Sequence, residues 1–139
     1  MDAPYPLALA LLGLARAVLE GGDVDRARSL SEEASSAAAA SRLSHLVTAA
    51  SISQAEGALA KDDAVTAAKV LRVARRGARR RGDALSTARC CYHLGQLARV
   101  GGQLPRAAAL HDEALALRAA AGDRAGVAES LEAPTPRVR

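Results

Sequence analysis

Tryptophan and phenylalanine are missing from this chain of 139 residues, and its only aromatics are Tyr5 and Tyr92. Sheet cores draw on aromatic and β-branched side chains, so their scarcity argues against a β fold. Cysteine is nearly missing too, and the two present, Cys90 and Cys91, are neighbours. Adjacent helix positions diverge by about 100°, so a bond between these thiols would strain the backbone. Two cysteines without metal-like spacing suit a reducing compartment, and a cytoplasmic location is expected. Charge of one sign is not in large excess: 19 basic residues oppose 15 acidic ones, a net +4. Long hydrophobic runs are missing as well. The opening "MDAPYPLALALLGLA" begins with Asp2 and two prolines and is soon interrupted by Arg16. Neither a signal peptide nor a membrane span is expected from it.

What the chain has is alanine, its commonest residue, within a sequence that is half apolar. Small side chains of high helix propensity suit helices that stack closely. The alanines also recur. "GGDVDRARSLSEEA" (21–34), "KDDAVTAAKVLRVA" (61–74) and "GGQLPRAAALHDEA" (101–114) share a pattern at a step of 40. Ala27, Ala67 and Ala107 form one column, Ala34, Ala74 and Ala114 another, and Leu30, Val70 and Leu110 lie between them. Positions i, i+3 and i+7 draw one face of an amphipathic helix. Asp23 and Asp63 stand where a helix N-cap belongs, with Gln103 in the third copy, and Pro105 falls in the first turn. Gly82-Asp83 and Gly122-Asp123 read as a C-cap glycine followed by an N-cap aspartate. The junction near Arg42 and Leu43 lacks that signal.

The unit is a helical hairpin. Helices are expected over 5–20, 23–39, 42–60, 63–80, 84–100 and 103–120, with a further one starting near 124. One hairpin cannot bury its own apolar face, so stacking creates the core.

These residues resemble the tetratricopeptide repeat (TPR) in its longer form. The family's small residue in helix A falls on Ala15, Ala55 and Gly95, and its helix B alanines on the two columns above. An aromatic position of the family is filled by Ser31, Leu71 and His111. The resemblance implies an all-α, right-handed α-solenoid of three TPR-like hairpins plus a truncated fourth. It makes one repeat domain over 1–131, with units at 5–41, 42–81, 82–121 and a partial 122–133, then a disordered tail at 134–139. The half helix carrying Val127, Ala128 and Leu131 would cap the third unit. "HDEALALRAAAGDRAGVAESLEA" also looks like the helical arms of actinobacterial LuxR- or AfsR-type regulators, which implies a repeat arm or a fragment of a longer protein. Neither a phosphate loop nor a helix-turn-helix reader accompanies it.

In tetratricopeptide arrays the A helices line a concave groove. Carried over by position, that groove is lined by Arg89, Tyr92, His93, Gln96 and Arg99, joined by Arg16, Ile52 and Glu56. Arginine, tyrosine and glutamine on one surface suit an acidic peptide or a terminal carboxylate. The run "RRGARRR" (75–81), together with Lys69 and Arg72 before it, makes a basic stripe of Lys69, Arg72, Arg76 and Arg79 or Arg80. A solvated face explains it better than nucleic-acid contact, since no aromatic is interleaved for base stacking.

His45, His93 and His111 stand 48 and 18 residues apart, without the spacing of a helical metal site. His111, Asp112 and Glu113 are consecutive, so on a helix they cannot converge on one atom. His111 is expected as a half-buried packing residue, and Cys91, in the column of Leu11, as a core one. No catalytic residue, metal or cofactor is expected. The function expected is a protein-interaction scaffold that grips a peptide or protein segment in its groove, within bacterial signalling or transcriptional regulation. The alternatives are a module that oligomerises through its ends, possible as a homodimer, and a nucleic-acid regulator using the basic stripe.

Overall fold

A computed structural model describes residues 4–122, with side chains from Pro6 onward. The expected half helix after 122 and the tail at 134–139 lie outside the described residues. Six helices, and no strand, run through the described residues: α1 (Pro4–Glu20), α2 (Val24–Ser41), α3 (Ser44–Ala60), α4 (Ala64–Arg80), α5 (Ala84–Val100) and α6 (Leu104–Ala120). Each begins and ends within two residues of its expected place. Contacts group the chain into two compact units, Met1–Leu71 and Arg72–Arg139, with the division inside α4.

The turns are built alike. A residue with positive φ stands at every twentieth position: Gly22, Arg42, Asp62, Gly82, Gly102 and Gly122. After Gly22, Asp62, Gly82 and Gly102, the next residue turns its N–H back to a carbonyl five positions earlier, as Asp23 does to Val18 and Asp83 to Ala78. The left-handed residue itself bonds three positions back, which completes a Schellman closure of the outgoing helix. The aspartate then starts the incoming helix. Asp23, Asp63 and Asp83 accept from the backbone N–H groups of Arg26, Thr66 and Ser86, at 3.2, 3.0 and 3.0 Å. Gln103 makes no such side-chain bond, and α6 instead carries Pro105 in its first turn.

The α2–α3 junction, which lacks the backbone bond to the carbonyl five positions earlier, solves the same problem differently. Arg42 takes φ 59°, and the hydroxyl of Ser41 stands in for the missing backbone closure. It donates to the Ala38 carbonyl at 2.6 Å and accepts from the Leu43 N–H at 3.3 Å.

In the first unit, α1 packs on α2, α2 on α3, and α1 also touches α3. Ala8, Ala34, Ala37, Ala38, Leu46 and Ala50 form its core, flanked by Leu11, Leu12 and Val47. In the second, α5 packs on α6 through Ala88, Cys91 and Ala114, with Tyr92 and Leu117 against them. All six alanines of the two repeat columns are buried. The Ser31, Leu71 and His111 column is buried too, and His111 is 2 % exposed rather than the half-buried residue expected. Gly95 makes room for it on the facing helix.

Candidate functional site

Helix α5 carries Arg89, Tyr92, His93, Gln96 and Arg99 at i, i+3, i+4, i+7 and i+10, so one turn follows another on a single face. All five are half-buried. Four of them, Tyr92, His93, Gln96 and Arg99, touch in series. The Arg99 Nε–H donates to Gln96 Oε1 at 3.4 Å, and Gln96 Nε2 donates to the Tyr92 hydroxyl at 3.4 Å. Tyr92 meets the His93 ring edge to face at 5.4 Å between centroids.

Helix α6 holds Tyr92 from behind. The His111 ring meets it at 5.3 Å and 75°, and the Arg118 guanidinium carbon lies 5.7 Å from its centroid, within cation–π range. Three neighbours thus fix the ring and leave its hydroxyl in the polar string. Neither His111 ring nitrogen has a hydrogen-bond partner. Burial, and then the charge of Arg99, push the His111 pKa below its ordinary value against the opposing pull of Asp112. The imidazole is therefore neutral at pH 7.

In the first unit the expected groove residues sit differently. Arg16 is exposed on α1 and Glu56 is half-buried on α3, whereas Ile52 is buried at 5 % exposure. Its side chain belongs to the packing between helices, so Arg16 and Glu56 are the members that offer polar atoms.

The basic run divides. Lys69 in the first unit and Arg72, Arg76 and Arg80 in the second are exposed. Arg79 is exposed as well, but it donates to Glu113 Oε2 at 2.8 Å. Arg75, outside the expected stripe, grips both Glu113 oxygens at 2.7 and 2.8 Å. The Cys91 thiol adds a third donor to that carboxylate at 2.9 Å. Burial raises the Glu113 pKa, but the bonds from Cys91 and Arg75 and the charges of Arg75 and Arg79 outweigh it, and the net shift is downward. The stripe is thus one charge weaker than its sequence suggests, and Glu113 serves as an anchor between α4 and α6. A cleft of about 270 Å³ opens beside it, bordered by Arg79, Asp83, Thr87 and Leu117.

His111, Asp112 and Glu113 point apart as expected: the first lies against Tyr92, the second is exposed, and the third faces Arg75. Among the described residues no cluster of three potential metal ligands occurs, and no helix is long and apolar enough to cross a membrane.

Sequence reasoning missed Arg118, which is 4 % exposed beneath Tyr92. A signal for it exists. Arg118 shares a 40-step column with Ala38 and Ala78, both fully buried, and an arginine in a buried alanine column must have a reason to be there.

The chain is similar to solved structures of TPR-like repeats. It matches a structure titled as the Podosopora anserina putative kinesin light chain nearly identical TPR-like repeats, with a TM-score of 0.70 and 20 % identity. The match covers 94 % of this chain and 67 % of that one. A variant of the same protein matches with a TM-score of 0.69 over the same shares. No family profile matches the chain, and no curated protein does. At this identity the likeness shows the fold: all-α helical hairpins of the TPR-like kind.

Proposed function

We propose that this chain is a non-enzymatic interaction scaffold that holds an acidic peptide or protein segment against the α5 face. The observation that carries this reading is the hydrogen-bonded string Tyr92–Gln96–Arg99, flanked by Arg89, on a half-open helix surface. A tyrosine fixed by its neighbours offers contact area at little further entropy cost, and guanidinium groups suit carboxylates. In the first unit Arg16 and Glu56 are the polar groups that can add to such contacts. A bacterial cytoplasmic setting, within a signalling or transcriptional regulator, rests on the resemblance of the stretch 111–133 to regulator arms. Selection from a random peptide library tests the reading. Binders enriched in Asp and Glu, lost with Arg89→Glu plus Arg99→Glu at unchanged helicity, support it. Binders that survive the double change place recognition elsewhere.

A second reading, association through a terminal helix, is favoured by Leu7, Leu9 and Leu14, which are 55, 45 and 43 % exposed on α1. Nucleic-acid binding is the weaker alternative, since Arg75 and Arg79 are drawn to Glu113. It requires duplex affinity that falls steeply with salt and vanishes when Arg76 and Arg80 become glutamate.

A further inference from the structure

The 40-residue register makes α1 and α3 equivalent, yet they are covered differently. In α3, Leu46 and Ala50 are buried in the core that includes Ala34, Ala37 and Ala38 of α2, and the Ser53 hydroxyl bonds that of Ser31 at 2.7 Å. Gly57 is buried on the same side. The matching positions of α1 are Pro6, Ala10, Gly13 and Ala17, and all of them are exposed, as are Leu7 and Leu14 beside them. This is a face with helix-packing chemistry that no helix covers among the described residues.

Its pattern also says what fits it. Leu7, Ala10, Leu14 and Ala17 follow i, i+3, i+7 and i+10, a narrow seam of alternating large and small side chains. Laid antiparallel on itself about a two-fold axis at position 12, the seam sets Leu7 over Ala17 of the copy and Ala10 over Leu14. Every leucine then meets an alanine. Arg16 lies well round the helix from the seam, and under this two-fold the two Arg16 side chains stand about 12 Å apart along the axis, beyond the Debye length. No charge opposes the approach.

We infer that two copies of this chain pair through α1, antiparallel, with Leu7 and Leu14 of each seated on Ala17 and Ala10 of the other. The inference rests on the second reading above and gives it a face and a register. One helix face buries a few hundred Å² per copy, short of the roughly 800 Å² of a standard interface, so the dimer is weak, dissociating at about 10–100 µM.

Sedimentation of the full chain from about 10 µM to about 1 mM brackets that range. The wild type is expected to pass from monomer to dimer, and Leu7→Glu with Leu14→Glu to remain monomeric with unchanged helicity. Ala10→Leu tests the register, because it makes the face more apolar while destroying the fit to Leu14. It is expected to weaken the dimer by about tenfold. A tighter Ala10→Leu dimer overturns the antiparallel seam. A dimer untouched by the double glutamate variant overturns the α1 face and leaves end association standing elsewhere. A wild type that stays monomeric throughout overturns both.

Discussion

The imidazole of His111 occupies the space that a side chain at Gly95 would need: a Cβ built there would stand 2.8 Å from Nε2 and 3.0 Å from Cδ2 and Cε1. The ring is buried and packed against Tyr92. Gly95→Ala is therefore expected to destabilise the fold by about 1–3 kcal/mol, as over-packing does. The first repeat carries Ala15 and Ser31 in the same two columns, both buried. Urea unfolding should find Gly95→Ala with His111→Ser less damaging than the sum of the single changes. Additive losses would mean that the two residues do not collide.

The neutral, buried state of His111 gives stability a pH dependence of known sign. Its folded-state pKa lies below the ordinary value of 6.5. Between those two values the unfolded chain takes up a proton that the folded chain refuses. Stability is thus complete above about pH 6.5 and falls as the pH drops below it, by up to about 1.4 kcal/mol per pH unit. The lowered carboxylates Asp25, Asp63 and Glu113 act at more acidic pH and leave this window clear. His111→Leu should flatten the profile between pH 5 and 6.5 and match or exceed the wild type at pH 7, because it removes two unpartnered nitrogens. An unchanged slope in that variant would assign the titration to another group.

Arg42 holds a left-handed conformation that four of its five register equivalents give to glycine. A residue with a Cβ pays about 1–2 kcal/mol there, partly offset by the entropy glycine loses on folding. Arg42→Gly should raise stability by about 0.5–1 kcal/mol, and Asp62→Gly by less, since aspartate tolerates this region better. Thermal unfolding of the two variants provides the check; a loss of stability in Arg42→Gly would mean that the arginine makes a compensating contact.

Glu113 takes three donors, and its removal should be felt by each. Glu113→Gln is expected to cost about 1–3 kcal/mol by leaving the half-buried Arg75 poorly paired. It should also expose a chemical difference between the cysteines. Burial raises Cys90 to about 11, while burial and the Glu113 bond together raise Cys91 to about 12. Neither thiol should react with a disulfide reagent at pH 8 in the folded protein. In Glu113→Gln the lower stability opens both buried thiols more often. Only Cys91 loses its carboxylate while keeping the nearby arginines, so its reaction should quicken more than that of Cys90. Equal quickening would show that the carboxylate has no hold on the thiol.

Much of the architecture is legible from spacing because its causes are local. A left-handed residue followed by a capping aspartate needs only neighbours in sequence, so Asp23, Asp63 and Gly82-Asp83 announce their turns. The end of α2 is harder to read because the hydroxyl of Ser41 replaces a backbone bond, and serine is common in helices and loops alike. On the α5 face, the resemblance to the tetratricopeptide repeat put Arg89, Tyr92, His93, Gln96 and Arg99 together. What holds Tyr92 there comes from another helix, and only the column of Arg118 hints at it. Ile52 shared the face by position, yet its burial depends on how closely α3 is covered.

The order of hairpins, their length and their alanine seams were determined by the sequence by itself, since each follows from a local rule repeated at a constant step. Tertiary structure decided which side chains met across those seams: His111 with Gly95, Glu113 with Arg75 and Cys91, Arg118 with Tyr92. Periodicity says which face of a helix turns inward. It is silent on which atom of the neighbouring helix will be waiting, because that depends on the distance and angle at which two separately written segments come to rest.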